Sequence, residues 1–355
     1  KKWELFNLNM PVLAITDLMI KHDDLIIATQ GRSFWILDDM GLVRQLDGNS
    51  NTKLYDPENS TIGNWSSELN SNNSDGTSSF TGVNPANGVV IYYNIGKEDN
   101  GKKVSIKIYD EGNKLVREIT SISDSNFTSY NGGPSKEPLL SNKFGLNRFV
   151  WDTRHTSLIG VPYAYIEGSF RGHKAIPGKY NLILEVGNSS FNSEFEILKN
   201  PNFSVSDQDY IDLDKYATHM ERNFNEMAGY INENKKSIDK LTGMIDELDV
   251  SSEVKNNGSK LLKLMDDWDK KMMQRKTKAY DDVENFRNKF LADYLFILDQ
   301  IKGDIPNVSE GILKSLKSHD EKWIELKKEI DEINQINIPE YNNELRSNGI
   351  IGALN

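Results

Sequence analysis

The chain has 355 residues, 37% hydrophobic and 27% charged, which is enough for two or three hydrophobic cores in a soluble globular protein. A net charge of −11 argues against nucleic acid or an anionic membrane as principal partner. Cysteine is absent, which excludes disulfides and thiolate chemistry. No apolar run approaches the roughly 20 residues that span a bilayer.

The first elements predicted are short strands. Val12 to Leu18 and Leu25 to Thr29 read as strands, followed after Gln30-Gly31-Arg32 by Phe34-Trp35-Ile36-Leu37. A hairpin of this size cannot bury so many large side chains by itself, so the pattern predicts neighbouring strands. The segment reads as the last part of a fold that begins elsewhere. From Asn49 to Ser79 the composition turns polar and reads as a linker, with Leu54, Tyr55, Ile62 and Trp65 available to pin it to a neighbour.

Residues 80–198 change character. Gly88–Asn94, Val104–Tyr109, Leu115–Ile119, Leu146–Trp151, Gly178–Val186 and Phe191–Leu198 are strand-like runs separated by turn residues. Val104, Ile106 and Ile108 alternate with more polar neighbours, the period of a half-buried strand. About seven strands over this length predict an immunoglobulin- or fibronectin-like sandwich.

After Asn200-Pro201 the period becomes helical. Ile211 to Ile231 recur at spacings of three and four, and the pattern resumes from Ile238 to Leu248. Further helices are expected around Leu261–Met272, Val283–Ile301 and Ile312–Ile333, with Ser206 and Ser309 as amino-terminal caps. Helices of this length predict an antiparallel bundle over 199–338, and 339–355 reads as a tail. The fold class is therefore multidomain α+β: terminal strands over 1–48, a linker over 49–79, a sandwich over 80–198, and a bundle.

Several of these stretches carry a family resemblance. Val12–Leu18, Leu25–Thr29 and Gln30-Gly31-Arg32-Ser33-Phe34-Trp35-Ile36-Leu37-Asp38-Asp39 resemble the closing blade of the sortilin-like, BNR-type β-propellers of bacterial extracytoplasmic proteins. Members usually have His where this chain has Gln30. Gly145–Asp152 and Ala175–Tyr180 resemble the sandwich of the same family, and Thr277–Asn285 and Ile338–Asn342 its helical end. The resemblance implies a bacterial, extracytoplasmic location and preceding propeller domains as the first partner. Large packed surfaces without a reactive constellation favour a non-catalytic scaffold that braces the propeller and binds envelope proteins or glycans, and no cofactor is expected. The family label of glycosyl hydrolase implies an alternative, an accessory region of an enzyme whose active site lies on the propeller. A subunit of an outer-membrane or surface complex, docking through the helices, is a second.

Candidate chemistry is sparse, and no catalytic residue stands out. Asp38 and Asp39 are paired carboxylates of the kind that serve as acid and base in glycoside hydrolysis, but at a strand end such residues more often cap the following turn. Arg32 offers a planar fork to a carboxylate or phosphate, although an arginine after a turn glycine more often pairs with an acid nearby. These three are the candidate ligand-binding residues. Asp207, Asp209, Asp212 and Asp214 lack the glycine and terminal glutamate of a calcium loop and suit a helix start. His22, His155, His173, His219 and His319 have no metal-binding spacing in sequence, so no metal site is assigned, and only the fold can bring two of them together. His155 follows Trp151-Asp152-Thr153-Arg154 in a loop, and Met272-Met273 is read as an exposed helix end open to a partner.

Overall fold

In the computed structural model, residues 5–6, 8–63, 86–247, 251–303, 305–350 and 354 are described; Trp65 and Leu248 lie outside them. The architecture is mixed α+β, with antiparallel sheets followed by a helical region.

Strands β1 (Ile15–Lys21), β2 (Asp24–Thr29) and β3 (Phe34–Leu37) form an antiparallel three-stranded sheet. Its register places Met19, Ile26 and Ile36 in one row and Leu18, Ile27 and Trp35 in the next. Both faces are therefore apolar, because adjacent residues point to opposite sides. Leu18, Met19, Ile20, Phe34 and Ile36 are all more than half exposed. Helix α1 (Met40–Gln45) follows directly. The side-chain amide of Gln45 donates to the Asp56 carbonyl (3.1 Å) while its carbonyl accepts from the Asp56 backbone (2.7 Å). This clip fastens α1 to the segment carrying the short strands β4 (Lys53–Leu54) and β5 (Ser60–Thr61). Over that stretch the segment read as a linker is pinned where its hydrophobes fall, and it adds two short strands that were not expected. Leu54 and Tyr55 are buried, and β4 and β5 each join a sheet as an edge strand.

The strands expected over 80–198 form as β6 (Val89–Ile95), β7 (Val104–Asp110), β8 (Leu115–Thr120), β9 (Gly145–Trp151), β10 (Gly178–Val186) and β11 (Ser189–Leu198). They make two sheets, one in the order β5-β11-β10-β7-β8 and one in the order β4-β6-β9. Val89, Ile91, Tyr93 and Ile95 from the smaller sheet share a core with Val104, Ile106, Ile108, Leu182 and Leu184 from the larger. Each such aliphatic side chain contributes about 1.5–3 kcal/mol by leaving water. Trp151 lies at the centre, edge-on to Tyr180 and Phe195, its ring N–H donating to the Arg154 carbonyl at 2.9 Å.

The helical region begins with α2 (Asp207–Glu247), which runs 41 residues without interruption. Ser206 and Asp209 cap it reciprocally: Asp209 Oδ2 accepts from the Ser206 amide and hydroxyl, and the Asp209 amide donates to Ser206 Oγ. Helix α3 (Ser252–Met272) follows, and its Trp268 ring N–H donates to the Leu326 carbonyl at 2.8 Å. The single helix expected over 283–301 is two pieces, α4 (Asp282–Asn285) and α5 (Phe290–Ile301). The break comes where Lys276 lies over the Phe286 ring and Gln274 Nε2 donates to the Arg287 carbonyl, which holds that chain extended beside the end of α3. Helix α6 (Glu310–Glu332) passes through a π-helical turn (Ile333–Asn337) into α7 (Ile338–Ser347). Pro339 accounts for the widened turn, since it has no N–H and its ring crowds the carbonyl four residues back.

Two further expectations are corrected. The stretch read as a tail is largely α7, and its Tyr341 and Leu345 lie in the helical core. Met272 and Met273 are buried rather than exposed, in a helical core that also takes in a segment assigned to the sheets. Leu158, Val161, Ala164, Ile166 and Phe170, all in the β9–β10 connection, belong to the helical core, and Phe170 packs edge-on against Phe224 of α2. No helix of the described residues is long and apolar enough to cross a membrane.

Candidate functional site

Among the described residues, polar and charged side chains gather in at least two places. The first is a cleft of about 310 Å³ between the end of β3, α1, the 55–60 segment, and strands β6 and β9. Asp38 and Asp39 line it with Asp24, Glu58, Tyr92 and Arg148. Asp39 enters α1 with a left-handed backbone (φ 58°), which turns the chain and leaves its carboxylate to accept from the Tyr92 hydroxyl at 2.5 Å. Burial, with the charges of Asp24 and Asp39, raises the Asp38 carboxyl above its usual value, against a smaller pull from Arg148. Burial and the charges of Asp23 and Asp39 raise Glu58 in the same way. Gly41 lets the Glu58 carboxylate come close to the start of α1, since a Cβ there would stand 2.5 Å from Oε1 and make that side chain shift. Arg32, the third sequence candidate, does not line the cleft; it follows Gly31 in the exposed β2–β3 turn.

The second place lies where the β9–β10 connection meets α2. The connection leaves β9 at Trp151 and returns to β10 at Gly178, and its two ends pair with each other. Ala175 N donates to the Thr153 carbonyl (2.6 Å), and His155 N to the His173 carbonyl (2.9 Å). Arg154 and Lys174 form an antiparallel bridge. Gly172 permits the approach, because a Cβ there would lie 2.5 Å from the His155 carbonyl oxygen. Arg117 of β8 donates to that same oxygen at 3.2 Å.

This pairing stacks the rings of His155 and His173, with centroids 3.9 Å apart and planes 17° from parallel. Helix α2 supplies two carboxylates seven residues apart, hence on one face: Asp214 Oδ1 lies 3.0 Å from His173 Nε2 and 3.9 Å from His155 Nε2. Glu221 holds the other side of His173, with Oε2 2.9 Å from Nδ1 and Oε1 accepting from the backbone N–H at 2.7 Å. His173 is wholly buried. Burial opposes its charge, but hydrogen bonds to Asp214 and Glu221 prevail and raise its pKa. Burial, and then the neighbouring His173 charge, push His155 down to about 3. Asp214 is lowered: burial works against its charge, and the His173 bond and charge outweigh it.

Anchors further along the connection hold the arrangement. Asp299 of α5 accepts from Ser169 N at 2.8 Å, and Lys302 Nζ donates to the Ser169 and Arg171 carbonyls at 2.8 and 3.0 Å. Tyr165 N donates to the Thr277 carbonyl, whose hydroxyl returns a bond to the Tyr165 carbonyl, both at 3.0 Å.

The fold thus brings together two of the five histidines that lack any spacing in sequence. Of the others, His219 pairs with Asp320 and His319 bonds the Ser315 carbonyl. Asp214, read only as part of an acidic helix start, turns inward. The one signal for the cluster was the i, i+7 spacing of Asp214 and Glu221 among the buried residues Leu213, Ala217, Met220 and Phe224. Comparisons with protein families, with curated proteins and with solved structures each return no match for this chain.

Proposed function

We propose that this chain is a non-catalytic scaffold from a larger, extracytoplasmic β-propeller protein of the sortilin-like, BNR type. In this reading β1–β3 belong to the closing blade, the two-sheet unit is an immunoglobulin- or fibronectin-like sandwich, and the helices form a bracing bundle. The observation that carries the reading is the β1–β3 sheet, which is apolar on both faces while Leu18, Met19, Ile20, Phe34 and Ile36 remain exposed. A sheet that faces water on one side alternates polar and apolar residues, whereas one covered on both sides does not. A propeller supplies such double cover, since neighbouring blades pack face to face around a ring. The partner is then the preceding propeller domain of the same protein.

Amide hydrogen exchange tests this. In the present chain, β2 and β3 are expected to exchange far faster than β7 and β10, and to become protected when preceding blades are joined to it. Equal protection with and without those blades sinks the proposal.

One observation favours a second role, glycan binding in the acidic cleft. Asp38, Asp39 and Glu58 line it beside Arg148 and Tyr92, so donors and acceptors for sugar hydroxyls converge there. Arg148→Ala is expected to abolish retention on a glycan array without lowering the melting temperature; unchanged retention excludes the cleft.

A further inference from the structure

We propose that His155, His173 and Asp214 form a binding site for one divalent transition-metal ion of the zinc class, which ties both ends of the β9–β10 connection to α2. Two imidazole nitrogens and a carboxylate oxygen are a donor set suited to zinc, cobalt and nickel, and three protein ligands leave a fourth position for water. The three donor atoms lie within 4.8 Å of one another. Bonds of about 2.0–2.1 Å at the tetrahedral angle put neighbouring donor atoms about 3.3 Å apart. The separations of Asp214 Oδ1 from His173 Nε2 (3.0 Å) and from His155 Nε2 (3.9 Å) bracket that value.

An independent feature is Glu221. It takes Nδ1 of His173, which leaves Nε2 turned toward Asp214, and its second oxygen fixes the His173 backbone. Metal-binding histidines usually have their second nitrogen held by an outer carboxylate in this manner. The ligands come from three separate segments, and each is already secured. His155 is held through its backbone by Arg117 and His173, His173 is held by Glu221, and Asp214 lies on a 41-residue helix. The parallel rings need one adjustment. The His155 ring, whose side chain is 14% exposed, turns until its Nε2 lone pair converges with that of the immobile His173. Bound ion replaces the proton between His173 Nε2 and Asp214 Oδ1, so the buried charge remains compensated.

The test is titration of the purified, chelator-stripped chain with Zn²⁺ by calorimetry and with Co²⁺ by visible absorption. The expected result is one equivalent of each, with the intense visible bands of four-coordinate cobalt. His155→Ala and Asp214→Asn are expected to lose the cobalt bands, and Glu221→Gln to weaken zinc binding about 10–100-fold. Circular dichroism in chelator provides the folding control. Asp214→Asn retains the side-chain volume and a hydrogen-bond partner for His173, and so decides the outcome where His155→Ala does not fold. Failure to saturate at one equivalent, or cobalt bands that survive in a folded Asp214→Asn chain, would overturn the proposal and leave a proton as the only bridge between His173 and Asp214.

Discussion

The β1–β3 sheet and the two sheets after it use the same residue types and reach opposite states. In the first, Ile20, Phe34 and Ile36 are more than half exposed. In the second, Ile91, Ile106 and Leu182 are wholly buried and share a core with Trp151. Hydrophobic content alone therefore does not make a core. A sheet needs a second layer at about 10 Å, and β6 and β9 provide it for β7 and β10 whereas no described element does so for β1 or β3. Part of the chain's apolar surface is spent on its own folding and part stays exposed on β1 and β3.

The sharpest way to break this comparison is Trp151→Ala. It is expected to cost about 3–5 kcal/mol in urea unfolding, because it opens a cavity between both sheets and removes two edge-on aromatic contacts. A loss under 1 kcal/mol would mean that the two sheets do not share one core. Phe170→Ala asks the corresponding question of the helical core. The expected cost is about 3 kcal/mol, toward the lower end for such truncations, because this side chain is reached from a loop. Amide exchange over residues 156–172 is expected to quicken with it, and unchanged exchange there would detach the connection from the helices.

Glu58→Gln probes the cleft between the two regions. Its carboxyl holds a proton more tightly in the folded chain than its usual 4.5, so the native state binds more protons than the unfolded one. That group therefore lowers stability as pH rises through the window between 4.5 and the raised value. The variant is expected to melt slightly higher than the parent at pH 7, with the difference vanishing below about pH 4.5 as both forms become neutral. A parent that melts higher at pH 7 would reverse the sign. The smallest effect is expected for Ile36→Ser, which should change the stability of the chain alone by no more than about 0.5 kcal/mol, as an exposed position. If the proposed propeller reading holds, the same substitution is expected to prevent association with added propeller blades in a pull-down. A cost of several kcal/mol in isolation would show that the sheet is already covered.

Much of the secondary structure was legible because it rests on local periodicity. The alternation of Val104, Ile106 and Ile108 and the helical spacing from Ile211 to Ile231 each demand one covered face, whatever lies opposite. The Ser206–Asp209 cap could be read for the same reason, since its partners are three residues apart. The β9–β10 connection was not legible. Leu158, Val161, Ile166 and Phe170 have no regular period, and their burial depends on helices that begin some forty residues later. Asp38 and Asp39 could be singled out by type, but not the company of Glu58, Tyr92 and Arg148, which comes from β-pairing over long sequence separations.

Composition and pattern by themselves determined that this is a mixed α+β protein with strands before helices, without disulfides or thiolate chemistry. Those properties depend on residue type and on neighbours a few positions apart. Tertiary structure alone decided that the connection between two strands belongs to the helical core, and that His155, His173 and Asp214 meet there. The reason is that a buried imidazole must find a hydrogen-bonding partner wherever the packing places one, and the packing placed it on α2.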